Sequence, residues 1–217
     1  AHALLLEGDE SRLAVVEAKD WRTLRARVER HDAQEAGKTA LLAKDYERVV
    51  AMVAAAQRFI ADSEIAGDWE RSDPEQTILW CEDGVWCRAR PDRLARDRKV
   101  VIDYKSTTDA SPATFTRQIV RMGYHLQDAL YRQGVRALGG EDPRFVFLAQ
   151  EIDPPYDCAL YGCDPTLREI AEAAVLRGIE MWGECLRSGR WPGYGGRVHW
   201  AIAPAWMRFE YEEAAHG

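Results

Sequence analysis

The stretch that decides the fold reads Cys87-Arg88-Ala89-Arg90-Pro91-Asp92, then Lys99-Val100-Val101-Ile102-Asp103-Tyr104-Lys105. The Val-Val-Ile run predicts a strand covered on both faces. Residues two apart on a strand share a side, so Asp103 and Lys105 project together and Tyr104 goes the other way. Asp103 stands where such a strand should emerge from the core. Taken alone, an Asp-x-Lys pair is more often an ion pair at a sheet edge. The Pro91-Asp92 pair one hairpin arm earlier changes that reading. Two carboxylates on neighbouring strands can converge on a hard divalent cation such as Mg2+. A lysine beside them can orient or deprotonate a water next to that cation. This is a layout suited to phosphodiester hydrolysis.

Outward from this strand, residues 77–81 and 85–90 read as hairpin arms joined by the turn Glu82-Asp83-Gly84. A long helix is predicted over 113–138, with Phe115, Ile119, Met122, Leu126 and Leu130 as its apolar stripe. A strand over 144–150 follows, with 159–161 as its partner, then a second long helix over 167–186. Upstream, Val49, Met52, Val53, Ala56, Phe59 and Ile60 predict a helix over 45–60. Residues 1–7 read as the end of a helix whose beginning is cut away, and 10–40 are charged and weakly patterned, with a loop at Gly37-Lys38. The tail is rich in Trp, Gly and Pro and is expected to wrap the surface without forming a domain. The order predicts an α/β chain of the α+β type, a single domain over 1–217 with a central mixed β-sheet flanked by helices.

Composition narrows the function classes. The chain has 217 residues, 47% hydrophobic and 30% charged, as in a soluble globular protein rather than a disordered one. No apolar run reaches the ~20 residues of a membrane span, so no membrane partner is expected. No secretory signal opens the chain. The five cysteines are irregularly spaced and form no C-x-x-C pair. They point to reduced, mostly packed thiols and a cytoplasmic location rather than to zinc or an iron–sulfur cluster. No phosphate-binding G-x-x-x-x-G-K and no G-x-S-x-G occurs. A net charge of −7 argues against a generic nucleic-acid-coating protein. Its distribution leaves room for a focused site: Arg88, Arg90, Arg93, Arg96, Arg98, Lys99 and Lys105 crowd around only Asp92, Asp97 and Asp103. Arg117, Arg121 and Arg132 add positions on the next helix. An acidic exterior around a basic channel is the expectation.

These residues resemble the PD-(D/E)XK nuclease superfamily, and more closely the RecE-type exonucleases of phages and prophages, the exodeoxyribonuclease VIII family. The resemblance rests on Pro91-Asp92 and Asp103-Tyr104-Lys105. It extends to Cys87-Arg88-Ala89-Arg90-Pro91-Asp92, to Tyr124-His125-Leu126-Gln127-Asp128-Ala129-Leu130-Tyr131, and to His2-Ala3-Leu4-Leu5-Leu6-Glu7. Phe145-Val146-Phe147-Leu148 and Trp191-Pro192 also fit. The resemblance implies a restriction-endonuclease-like core. It implies Asp92 and Asp103 as metal ligands, with the Tyr104 main-chain carbonyl and His2 completing the shell and Glu75 as a further acid. Lys105 would position or activate the attacking water. Gln127 and Tyr131, one helical turn apart, would hold the lysine or a DNA phosphate, with Tyr124 beside them. Arg88, Arg90, Arg117, Arg121 and Tyr124 are candidate DNA contacts.

The implied activity is Mg2+-dependent hydrolysis of linear double-stranded DNA from an end, 5′ to 3′, with Mn2+ as a substitute cation. The implied product is single-stranded tails for recombination. The implied partners are duplex ends, other copies of the chain in a closed ring, and a single-strand annealing protein. Two alternatives stand beside this reading: a catalytically silent relative that binds DNA or protein in a phage complex, and a RecB- or Cas4-like nuclease acting on single strands.

Overall fold

The computed structural model describes residues 1–216. In chain order its elements are α1 (His2–Glu7), β1 (Leu13–Val16), α2 (Leu24–Glu35), β2 (Thr39–Leu42), α3 (Ala43–Ala61), α4 (Ala66–Glu70), β3 (Ser72–Pro74), β4 (Ile78–Glu82) and β5 (Val85–Ala89). There follow β6 (Arg93–Ala95), β7 (Val100–Thr107), α5 (Pro112–Arg121), α6 (Tyr124–Ala137), β8 (Arg144–Glu151), β9 (Cys158–Tyr161), α7 (Pro165–Ser188) and α8 (Ala205–His216). Strand β7 lies at the centre of a five-stranded sheet of order β3-β6-β7-β8-β9. It pairs parallel with β8, while β3–β6, β6–β7 and β8–β9 are antiparallel. The mixed sheet flanked by helices is therefore as the sequence predicts.

The sheet divides two cores. Val101, Phe145, Phe147 and Ala149 face Phe115 and Ile119 of α5, Val135 of α6 and the hairpin residues Ile78, Trp80 and Ala89. Val100, Ile102, Tyr104, Val146 and Leu148 face Leu5 and Leu6 of α1 and Val53, Ala56 and Ile60 of α3. Alternate residues of β7 thus serve opposite cores, which is why the run reads as continuously apolar. Asp103 and Lys105 belong by this alternation to the α5/α6 side, and Tyr104 to the α1/α3 side.

The structure departs from the sequence expectations in four places. The helix predicted over 113–138 is two helices, because Gly123 takes a φ of 72° and ends the first run. The 77–90 hairpin forms a two-stranded sheet of its own instead of joining the central one. Its chain breaks at Pro91, which has no amide to donate to a ladder. The short strands β6 and β3 continue the sheet beyond β7 instead, with β3 at the edge. Residues 10–40, patternless in sequence, hold the parallel pair β1–β2 joined by α2. That helix buries only Ala26 and Ala33, so it has almost no apolar stripe to see, though Thr23 caps it through its hydroxyl. All five cysteines are free.

By its contacts the chain forms two compact units, 1–183 and 184–217. The first contains both cores and every residue of the candidate site. The second holds the end of α7 and α8, with Trp200, Trp206 and Phe209 exposed. Among the described residues no helix is long and apolar enough to cross a membrane.

Candidate active site

The pairing of Arg93 with Ile102 sets the site. Continuing that antiparallel register by one residue brings Asp92 level with Asp103. Beyond this point β6 no longer covers β7, and the Tyr104 amide donates instead to Asp92 Oδ2 at 2.7 Å. The other oxygen of Asp92 lies 3.0 Å from His2 Nε2. Helix α1 brings the imidazole there by burying Leu5 and Leu6. Glu75 follows β3, donates its own amide to the Asp92 carbonyl at 3.1 Å, and places Oε1 3.8 Å from His2 Nδ1. One ligand atom from each of His2, Glu75 and Asp92 lies within 4.8 Å of the others.

Asp103 is the buried member, 1% exposed. Its carboxylate forms a close ion pair with Lys105 and accepts from Gln127 Nε2 at 2.6 Å. The Lys105 ammonium lies over the Tyr124 ring, 4.8 Å from its centroid. Burial, and then the charge of Asp92, push the Asp103 carboxyl up to about 6; the Lys105 and Gln127 contacts oppose this without cancelling it. The hydrogen bond to Asp92 raises the His2 imidazole, helped by the charges of Asp92, Glu75 and Asp103, with burial opposing. The cluster therefore holds more negative charge than its own cations neutralise.

That imbalance is the test of a divalent cation here. The donor atoms that converge are two carboxylates and one imidazole, with the Asp103 carboxylate on the neighbouring strand, an oxygen-rich, hard set that suits Mg2+ or Mn2+. A dication among Asp92, Asp103, Glu75 and His2 would offset both the burial and the Asp92 charge that lift Asp103. The residues present fit such an ion.

Several of the roles implied by resemblance look different in place. Gln127 holds Asp103, not the lysine. Tyr131 packs against the core with its ring 6.2 Å from Phe145. Tyr124, read as a DNA contact, lies under the Lys105 ammonium. The Tyr104 side chain turns away, as the strand alternation predicts, and donates to Gln150 at 2.6 Å, while its amide anchors Asp92. Arg88, Arg90, Arg117 and Arg121 are exposed, and Arg90 Nε lies 2.7 Å from Glu75. His125 Nδ1 donates to the Ile119 carbonyl at 3.2 Å and joins α6 to α5.

Two arginines expected to line a basic channel do not. Arg93 is spent on the carbonyls of Leu6, Trp69 and Ser72. Arg132 is buried among Asp128, Asp142 and Glu172. Charge counting along the sequence could not separate these from exposed arginines. The Arg132 network was itself missed, although the i, i+4 spacing of Asp128 and Arg132 is the signal that marks it.

Residues 2–204 match the family described as a PDDEXK-like domain of unknown function. Among solved structures, a candidate exonuclease from Eubacterium rectale is similar at a TM-score of 0.58 and 14% identity, covering 94% of this chain and 77% of that one. That likeness is one of fold. An alkaline exonuclease from Laribacter hongkongensis is similar at 19% identity and a TM-score of 0.33, over 77% of this chain and 86% of that one, too distant in shape to carry an argument. No curated protein matches the sequence. With a mixed sheet that brings Pro91-Asp92 level with Asp103-Tyr104-Lys105, and with the match running from residue 2 to residue 204, the chain belongs to the PDDEXK-like family DUF3799.

Proposed function

We propose that the protein is a divalent-cation-dependent deoxyribonuclease that hydrolyses linear double-stranded DNA from an end, with Mg2+ as the cation and Mn2+ as a substitute. The observation that carries this is the convergence of Asp92, Asp103 and Lys105, with Gln127 fixing Asp103. Bound there, the cation supplies positive charge to the scissile phosphate and acidity to a water. Asp92 and Asp103 would hold it, with Glu75 and His2 beside them. Asp92 is kept in aim by the Tyr104 amide. Lys105, steadied between Asp103 and the Tyr124 ring, offers N–H groups to the attacking water or to a phosphate oxygen. Gln127 stops Asp103 from rotating toward the lysine alone. Arg88, Arg90, Arg117 and Arg121 are exposed cations for the DNA backbone.

The 5′ to 3′ direction, the ring of identical copies, the annealing protein and the recombination role are part of the same proposal and rest on the RecE-type resemblance. The test is digestion of end-labelled linear duplex beside covalently closed circles, in Mg2+ and in EDTA. Mg2+-dependent loss of linear DNA with circles spared, starting at the 5′ end, is the expected result. Equal digestion of circles would remove the dependence on ends. Absence of digestion would favour the silent relative.

A further inference from the structure

Glu75 is shared between two groups of different kinds. One oxygen faces His2, a member of the candidate cation cluster, at 3.8 Å. The other faces the Arg90 guanidinium at 2.7 Å. The Glu75 side chain is 17% exposed and that of Arg90 is 60% exposed, so the carboxylate faces inward and the guanidinium faces solvent. The backbone is bent to achieve this. Glu75 has a φ of 56°, in the left-handed region that non-glycine residues rarely adopt. The hydrogen bond that its N–H donates to the Asp92 carbonyl at 3.1 Å holds the bend. Neighbouring cations are committed elsewhere: Arg93 to Leu6, Trp69 and Ser72, Arg96 to Asp73, and Arg98 to the Leu138 carbonyl.

We infer that Glu75 and Arg90 form an exchange pair that couples cation binding to DNA binding. A divalent cation and Arg90 compete for the Glu75 carboxylate, and the Arg90 released by the cation pairs with a DNA phosphate. The inference rests on the nuclease reading of this site and deepens it. A carboxylate engaged by a dication has little charge left for a guanidinium, whereas the planar fork of arginine matches a phosphate bidentately. The exchange is cheap, because the guanidinium end of the pair lies in solvent, where an ion pair contributes a factor of only about 1.5 to 5 in an equilibrium constant. By linkage, DNA tightens the cation by the same factor as the cation tightens DNA.

Two variants, Arg90→Gln and Glu75→Gln, measured beside wild type, separate this from simpler roles. Mn2+ binding is measured by calorimetry without DNA. Binding of a fluorescent linear duplex is measured by anisotropy in Ca2+ and in EDTA, and thermal melting checks the fold. Arg90→Gln should bind Mn2+ about threefold tighter, because a competitor is gone. It should lose duplex affinity in Ca2+ and little in EDTA. Glu75→Gln, whose arginine is free without a cation, should bind the duplex in EDTA more tightly than wild type and gain less from Ca2+. Weaker Mn2+ binding by Arg90→Gln would mean that Arg90 only props Glu75 in place, and the exchange would be wrong. An equal loss of duplex affinity in Ca2+ and EDTA would make Arg90 an ordinary phosphate contact, again against the exchange. Wild type that neither binds duplex nor cleaves it would overturn the nuclease reading and the exchange together.

Discussion

Two buried aspartates on adjoining elements make an instructive pair. Asp103 on β7 and Asp128 on α6 are each 1% exposed. Asp128 sits among arginines that match its charge, Arg132 on one oxygen and Arg168 3.8 Å from the other. It accepts from Arg132 Nε at 2.6 Å, and Arg132 goes on to Asp142 at 2.7 Å and Glu172 at 2.7 Å. Burial opposes the Arg132 charge, but its bonds to Asp142 and Asp128 overrule that and raise it. Burial likewise opposes the Asp142 anion, yet Arg132 and Arg136 hold its carboxyl below the ordinary value. Asp103 has Lys105 and Gln127, but burial and then the facing charge of Asp92 push its carboxyl up. Both regions meet on α6, which presents Gln127 to one and Asp128 and Arg132 to the other. Charge completed by protein ties α6 to α7 and to the loop before β8. Charge left incomplete is what a cation-binding site needs.

The contrast can be broken by removing one charge from each region. Arg132→Ala leaves the buried Asp128 carboxylate with only the Arg168 guanidinium, 3.8 Å away, and should cost ~3–5 kcal/mol. Urea unfolding would show this, and a loss under 1 kcal/mol would mean that the network contributes little. Asp103→Asn should do the reverse in EDTA at neutral pH. The carboxyl titrates near 6 instead of its usual 3.8, so the folded chain bears a cost when it is ionised. Removing the charge should raise stability by ~1–2 kcal/mol, the Lys105 and Gln127 bonds returning part of the gain. A lower melting temperature for this variant would mean that Asp103 is already neutralised by its neighbours.

The same imbalance predicts a pH dependence. Between about pH 6 and pH 4 the folded chain binds a proton at Asp103 that the unfolded chain does not, so stability in EDTA should rise as pH falls through this window. His2, also raised, acts in the same direction: its contribution is present at low pH and is lost as pH rises through its folded value. Asp103→Asn should flatten most of this slope, and cation affinity of the wild type should fall below pH 6 as protons compete. Melting curves across pH 4.5–7.5 check both points. The smallest effect concerns how α6 meets the hairpin. A Cβ at Gly134 would lie 2.7 Å from the Trp80 ring. Gly134→Ala should therefore destabilise by ~1 kcal/mol, with helix propensity returning part of a larger clash.

These regions were unequally legible in the sequence. Asp103 and Lys105 could be read because a strand repeats every two residues and an apolar run marks which strand is buried. Asp92 came with them because Pro91 marks where the hairpin must end. The roles of Gln127 and Tyr131 came from resemblance, and only Gln127 reaches the carboxylates. One helical turn overshoots by roughly 40°, and in the structure Tyr131 meets Phe145. Arg132 reads in sequence as a cation of the basic channel, because partners as distant as Glu172 cannot be seen along a chain. The break at Gly123 was visible as a glycine, but the apolar stripe continued through it and the stripe decided the reading. Arg90 and Glu75 are fifteen positions apart, and only the turn at Glu75, with its φ of 56°, brings them together.

The central claim is hydrolysis of DNA by a cation-assisted cluster of Asp92, Asp103 and Lys105. The direct measurement is cleavage of linear duplex DNA by wild type, Asp103→Asn and Lys105→Ala in Mg2+ and in EDTA, with Mn2+ binding measured on the same preparations. The account predicts cleavage by wild type in Mg2+ alone and a loss of ~10³-fold or more in both variants. It also predicts weakened Mn2+ binding in Asp103→Asn and nearly unchanged binding in Lys105→Ala. Wild-type cleavage that persists in EDTA, or near-normal turnover by Lys105→Ala, would contradict it.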